Sequence, residues 1–272
     1  MIDLLDTTFI IPICIESEDR RVNAITTLSY LCKNLHTNII IYEYDVDSKM
    51  EAIINHIKSK FPKNITANNL VHIYEKNVSG NNIFHRTKYL NDMLAQTKTK
   101  VVINYDIDII LKPSTYIKCS NLIKSGMDLV YPYFYGISQY QVNYDGKSKI
   151  LNDLSVNNLI AKDYNLHQSA YGHCQFFNTK SYIDGGMENE KFISYGPEDQ
   201  ERGYRFKKLG FKVNWSDDYV YHMEHTRGNN SSDQNPMMDH NNRLFESIKK
   251  MSIEELKSYY NNIDYLSKYR KA

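Results

Sequence analysis

Over the first 110 positions, short unbroken apolar runs alternate with segments whose apolar residues recur at helical spacing. Residues 8–15 (Thr-Phe-Ile-Ile-Pro-Ile-Cys-Ile), 38–42 and 70–74 read as strands, and Val101-Val102-Ile103-Asn104 as a fourth. Runs without polar alternation mark strands buried on both faces, as in a parallel sheet. Between them, 20–35 places Val22, Ile25, Leu28, Leu31 and Leu35 along one helical stripe, and 50–60 and 86–96 read as further helices. Pro62 and Asn64 break the chain before the third strand. Strand and helix in strict alternation predict an α/β fold, a mainly parallel sheet with helices on both faces.

The second half is less regular. Residues 128–135 read as a strand with an aromatic tail. The stretch 136–168, rich in Asn, Gln, Ser and Asp, predicts an irregular insertion with at most one short helix. A short strand at 175–177, a helix over 198–209 closed by a left-handed Gly210, and strands at 211–213 and 219–221 follow. Residues 228–239 carry little apolar content and predict a long mobile loop, with helices from Pro236 to a helical C-terminal tail.

A length of 272 residues suffices for one sizeable α/β domain or two small ones. With 33 Lys and Arg against 32 Asp and Glu, the balance argues against bulk electrostatic capture of nucleic acid, though not against a local basic site. Cys14, Cys32, Cys119 and Cys174 lack Cys-x-x-Cys spacing, so neither a zinc knuckle nor a disulfide framework is indicated; Cys14 and Cys32 read as core thiols in a reducing compartment. No run approaches the roughly 20 apolar residues of a membrane span, and Met1–Asp6 has no signal-peptide pattern. The chain reads as soluble and cytoplasmic, or as a soluble piece of something longer. The tail residues Tyr259, Tyr260, Tyr265, Lys268, Tyr269, Arg270 and Lys271 offer at most peripheral contact with the inner face of a membrane; a solvated amphipathic helix is the plainer expectation.

Four constellations carry chemistry. Asp106-Ile107-Asp108 follows the fourth strand, where ligands collect in open α/β sheets; it offers two hard oxygen donors, or simply solvated acids at a strand end. His222-Met223-Glu224-His225 holds imidazoles three apart, which with an Asp oxygen form a mixed N/O set suited to Mn2+; they also read as ordinary loop histidines. Tyr195-Gly196-Pro197-Glu198-Asp199 opens a helix, where acids answer the helix dipole or serve as a general base. Phe84-His85-Arg86-Thr87-Lys88 starts a helix with basic groups, as a diphosphate site requires and as many surface helices do.

In this order the four resemble the GT-A-fold nucleotide-sugar glycosyltransferases, closest to the β-1,4-galactosyltransferases and chondroitin polymerases. Phe84-x-Arg86-x-Lys88-x-Leu90-Asn91, Asp106-x-Asp108, Tyr195-Gly196-Pro197-Glu198-Asp199 and His222-x-x-His225 match family motifs. Thr226-Arg227…Asn235-Pro236 resembles the family's long closing loop, and Glu16-Ser17-Glu18-Asp19-Arg20 the loop bordering the nucleotide. The resemblance implies one GT-A domain over 1–272: a nucleotide-sugar half (1–113), an acceptor and metal half (114–250) and the tail (251–272). It implies a metal held by Asp108, His222 and His225, Mn2+ with Mg2+ as the alternative. Donor contacts would come from Phe84, Arg86, Asp106, Glu16, Arg20, Gly172 and Tyr195. Asp199 would be the base and Glu198 would orient the acceptor.

The sequence departs from the family at Gly196-Pro197, which replaces Gly-Gly, at Tyr195, which replaces a Trp, and at Ala170-Tyr171-Gly172-His173, which replaces the donor-selecting Tyr-Phe-Gly-Gly. The implied reaction is inverting transfer from a UDP-sugar (UDP-Gal, UDP-GalNAc, UDP-GlcNAc or UDP-Glc) to a hydroxyl of a glycan or glycoconjugate. A metal-dependent phosphohydrolase or nucleotidyltransferase, and a non-catalytic glycan-binding protein, are the alternatives.

Overall fold

The computed structural model describes residues 1–62, 70–78, 83–228, 231–232 and 234–269. The expected alternation opens the chain: β1 (Ile2–Ile13), α1 (Glu18–Asn34), β2 (Leu35–Asp45), α2 (Met50–Lys60), β3 (Leu70–Lys76), α3 (Arg86–Leu94) and β4 (Val101–Tyr105). Then come β5 (Ile109–Ile110), α4 (Pro113–Lys124), β6 (Leu129–Tyr131), β7 (Gly136–Val142), α5 (Tyr144–Asp153), β8 (Tyr164–Ser169), β9 (Cys174–Asn178) and α6 (Thr179–Asp184). The chain finishes with α7 (Glu198–Lys208), β10 (Val213–Trp215), β11 (Val220–Met223), α8 (Met238–Lys250), α9 (Ile253–Asn262) and α10 (Leu266–Tyr269).

A seven-stranded sheet in the order β10-β6-β9-β4-β1-β2-β3 forms the centre, with β9 antiparallel to both neighbours and the remaining pairs parallel. Phe9, Ile10, Ile11, Val101, Val102, Ile103, Phe176 and Phe177 are fully buried in it, as double-faced apolar strands require. Such burial, about 1.5–3 kcal/mol for each large side chain, makes this sheet the stable platform.

The expectation for 136–168 is corrected. Instead of an irregular insertion, β7 and β8 join β5 and β11 in a second sheet, ordered β5-β11-β7-β8. The apolar signal is missing because β7 carries Gln139 and Gln141 on one face for hydrogen bonding, and β8 is an edge strand whose Asn165–Gln168 stretch is exposed. Other boundaries also move. β6 stops at Tyr131 before Pro132, which has no N–H for the ladder. β10 lies two residues later than expected, and β11 extends to Met223, placing His222 inside the strand. Gly210 adopts φ 88°, and Phe211 N–H returns to Phe206 O at 3.0 Å, the expected left-handed close of α7.

The C-terminal helices do not project into solvent. A second small core of Phe192, Phe245, Ile248, Leu256 and Tyr260 packs them onto the body. The Tyr260 hydroxyl donates to Glu201 (2.6 Å), Tyr265 to Gly186 O (2.9 Å) and Tyr269 to Glu190 (2.7 Å). The tail tyrosines therefore serve internal contacts; Arg270 and Lys271 lie outside the described residues. Among the described residues no helix is long and apolar enough to cross a membrane. The four cysteines form no disulfide; Cys32 is buried as expected, whereas Cys14 is only half-buried at the cavity described next.

Candidate active site

A cavity of about 480 Å³ opens beyond the carboxyl ends of β1 and β4. It is lined by all twelve residues singled out from the sequence: Glu16, Arg20, Phe84, Arg86, Asp106, Asp108, Gly172, Tyr195, Glu198, Asp199, His222 and His225. Five of its lining residues, Arg20, Arg86, Asp108, Ser169 and Glu198, each present a buried polar atom without a hydrogen-bond partner. Orphaned groups are costly to bury, so their convergence marks a site built for a polar ligand.

Asp106 and Asp108 sit in the turn between β4 and β5. Asp106 N–H donates to His173 O (2.9 Å) on one side, and Met223 N–H donates to Asp108 O (2.8 Å) on the other. The second clip brings the β11 histidines to the acid. Nε2 of His225 lies 3.0 Å and Nε2 of His222 3.7 Å from the Asp108 carboxylate, and one ligand atom from each of the three residues lies within 4.8 Å of the others.

The far side of each imidazole is fixed. His222 Nδ1–H donates to Gln141 Oε1 (2.8 Å), whose orientation is set by a Gln139 Nε2–H donation (2.8 Å). His225 Nδ1–H donates to Thr226 O (2.9 Å). Both Nε2 atoms are thereby turned toward the Asp108 carboxylate, whose Oδ1 is buried without a hydrogen bond. Burial pushes the Asp108 carboxyl up, yet the adjacent His222 and His225 hold it well below the usual range. Two imidazole nitrogens and a carboxylate oxygen converging on one point form a donor set that fits a divalent cation, and the mixed N/O set favours Mn2+ over Mg2+ or Ca2+.

Across the cavity, Arg86 at the start of α3 donates to Asp106 (2.7 Å) and Asn104 (3.2 Å), and its Nη1 lies 3.7 Å from Asp199. Asp199 also accepts from Arg202 Nη1 (2.8 Å), itself held by Glu188 at 2.5 and 2.7 Å. Both guanidiniums engage Asp199 Oδ1, while Oδ2 is the atom that faces Gly172. Burial raises the Asp199 carboxyl, but Arg202 and Arg86 more than offset it and hold it below its ordinary value. The neighbouring Glu198 goes the other way: burial, then the Asp199 charge, push it up to about 8. Two adjacent acids thus differ in protonation at neutral pH.

The Tyr195-Gly196 turn before α7 is held by Asn241 and Asn235, whose amides donate to Tyr195 O at 3.1 and 2.5 Å. A Cβ at Gly196 would lie 2.7 Å from Asn241 Nδ2, so only glycine fits this approach. Among the described residues of 228–239 only Asn235 is buried, at 4% exposure; Met238 and Asp239 already belong to α8, and residues 229, 230 and 233 lie outside the described residues.

Sequence reasoning missed the supporting residues Gln139, Gln141, Arg202, Glu188 and Asn241, and named His173 only as part of the segment 170–173. His173 lines the cavity with φ 70°, and burial, reinforced by His222, pushes its imidazole down to about 3. Two local signs were present: the Gln-x-Gln pair, two amides on one face of a strand, and Asp199-x-x-Arg202, an acid and an arginine at i,i+3 on one helix.

No family model matches the chain, and no curated protein does. Solved structures do. The mannosyltransferase PcManGT from Pyrobaculum calidifontis, in complex with GDP-Man and Mn2+, aligns at TM-score 0.52 and 13% identity over 82% of this chain and 58% of its own. GalNAc-T7 with UDP, GalNAc and Mn2+ aligns at 0.62 and 12% over 98% of this chain and 54% of its own. S. aureus TarS 1–349 in complex with UDP-GlcNAc aligns at 0.59 and 15% over 93% and 70%. The chain spans little more than half the length of the first two. At these identities the likeness defines the architecture: the chain has the GT-A fold of glycosyltransferases.

Proposed function

We propose that the protein is a divalent-metal-dependent, inverting glycosyltransferase that moves a hexose or N-acetylhexosamine from a UDP-sugar to a glycan hydroxyl. The observation that carries this reading is the pairing, in one cavity, of the Asp108–His222–His225 cluster with the split-protonation pair Glu198/Asp199. Asp108, His222 and His225 would hold Mn2+, which when bound shields the charge of a diphosphate leaving group. Arg86 is placed to contact the same diphosphate through Nη1, which makes no hydrogen bond and lies 3.7 Å from Asp199. Phe84, Glu16 and Arg20 border the nucleotide side, with Asp106 holding Arg86 in position.

Asp199 stays ionised and presents Oδ2 toward Gly172, so it takes the proton of the attacking hydroxyl. A doubly paired carboxylate is a weak base, adequate because the hydroxyl acidifies as its oxygen bonds to the anomeric carbon. One base and no carboxylate nucleophile correspond to a single displacement and inversion. Glu198, protonated near neutral pH, donates a hydrogen bond that orients a sugar hydroxyl and does not compete as base. Tyr195 and Gly172 shape the wall around the reacting sugar.

The test is incubation with UDP-Gal, UDP-GalNAc, UDP-GlcNAc and UDP-Glc plus Mn2+, reading UDP release with and without oligosaccharide acceptors and the product's anomeric configuration by NMR. Acceptor-stimulated UDP release with inversion is expected. Phosphate or UMP release without sugar transfer would assign a phosphohydrolase or nucleotidyltransferase, and glycan binding without turnover a non-catalytic role.

A further inference from the structure

The loop that follows β1 and the segment that follows β11 are tied together by one side chain. Asp19, in the first turn of α1, accepts from Thr226 N–H (2.5 Å) and from Thr226 Oγ1 (2.9 Å). The same carboxylate is steadied by its own loop, accepting from Ser17 Oγ, from Arg20 N–H (2.9 Å) and, at 3.4 Å, from the Tyr144 hydroxyl. Thr226 in turn offers its carbonyl to His225 Nδ1–H at 2.9 Å, and His225 Nε2 faces Asp108. A second approach reinforces the seam: a Cβ on Gly228 would lie 2.8 Å from Glu16 Oε2, so the two loops run against each other over several residues.

The consequence follows from the geometry of the two histidines. His222 lies within β11 and is registered opposite Gln141, so its backbone is fixed by the sheet. Past the strand Glu224 is still held, its N–H donating to Val142 O (2.8 Å) and its carbonyl accepting from Lys147 (3.2 Å) and Asn23 (3.5 Å), and His225 is the next residue along. Its ring depends on where the Thr226 carbonyl points, and both Thr226 donors on offer to the rest of the chain end on Asp19. We propose that Asp19 is a positioning residue for the cation site: by anchoring Thr226 it fixes the tautomer and direction of His225, and it joins the nucleotide-side loop to the third metal ligand. This rests on the divalent-cation reading above. A group that orients a ligating histidine typically changes metal affinity by about 10–100-fold when removed.

The experiment is Mn2+ binding to the metal-free full chain, followed by electron paramagnetic resonance, with nitrogen spin-echo modulation counting the bound imidazoles. Wild type should show two imidazoles. Asp19→Ala should bind Mn2+ at least about tenfold more weakly and retain the signal of one imidazole, with its melting temperature shifted by no more than a few degrees. Asp19→Asn, which keeps the side chain's shape and one carbonyl acceptor, should fall between; it also serves if Asp19→Ala folds poorly. Thr226→Val, which keeps the backbone donor, should lose less than Asp19→Ala, and Thr226→Ser should restore wild-type binding. Wild-type affinity and two imidazoles in both Asp19 variants would overturn the positioning role while leaving the cation site intact. Absence of Mn2+ binding by wild type itself would remove the cation reading, and the positioning role with it.

Discussion

The two sheets of this protein are built on opposite terms. In the seven-stranded sheet, β1 and β4 bury apolar side chains on both faces, and chemistry starts only where β4 ends, at Asp106 and Asp108. In the four-stranded sheet the strands themselves carry the chemistry: His222 on β11 and Gln139 and Gln141 on β7 form a hydrogen-bonded polar layer. The first arrangement stores stability in many interchangeable contacts; the second concentrates function in a few directional ones. Mutations should therefore separate the two, with loss of folding in one and loss of ligand geometry in the other.

The sharpest separation is between the centre of the large sheet and the acid at the start of α7. Phe176→Ala on β9 removes a fully buried ring and should cost about 3–5 kcal/mol of stability, read as the shift in urea midpoint. Asp199→Asn should leave that midpoint almost unmoved yet lower turnover by roughly 10²–10⁴-fold, with UDP affinity unchanged. If Asp199→Asn kept near-normal turnover, another base would have to be sought. Gln141→Leu probes the polar layer directly: losing the acceptor for His222 Nδ1–H should weaken Mn2+ binding by about 10–100-fold, read by calorimetric titration. A Gln141→Leu protein with intact Mn2+ affinity would break the distinction between the sheets.

The smallest effect concerns Glu43 at the end of β2. Its burial raises the carboxyl, but His72, Ser48 and the N–H groups of Lys49 and Met50 hold it below its ordinary value of 4.5. A depressed folded-state value means that the unfolded chain binds the proton first as pH falls. The stabilisation is thus present above about pH 4.5 and is lost as pH drops toward the folded value. Glu43→Gln should be less stable than wild type at pH 7, and the gap should close on acidification; a gap independent of pH would show that the carboxylate charge is irrelevant.

The same contrast explains what could be read in advance. Continuous runs such as Val101–Ile103 announce a buried strand because burial on two faces leaves no room for polar alternation. The ligands and acids of the cavity were legible because their spacing is local: two residues between His222 and His225, one between Asp106 and Asp108. β7 and β8 were illegible because polar groups occupy positions where a strand pattern shows apolar ones: Gln141 meets His222 from far along the chain, and residues 165–168 of β8 face solvent. Asn241 was missed, and the role of Asp19 was not visible, for the same reason: each acts by holding a residue distant in sequence, Tyr195 and Thr226. Orientation of this kind is a property of the folded arrangement and has no periodicity to detect.

The most direct test of the cation site is turnover of the UDP-sugar panel after exhaustive chelation. UDP release should vanish, return with Mn2+ and return far less with Ca2+, because imidazole donors suit the former. Asp108→Ala should remain inactive at any Mn2+ concentration that restores wild type. Full turnover in chelator, or an Asp108→Ala protein that responds to Mn2+ as wild type does, would contradict the assignment of Asp108, His222 and His225 as the metal ligands.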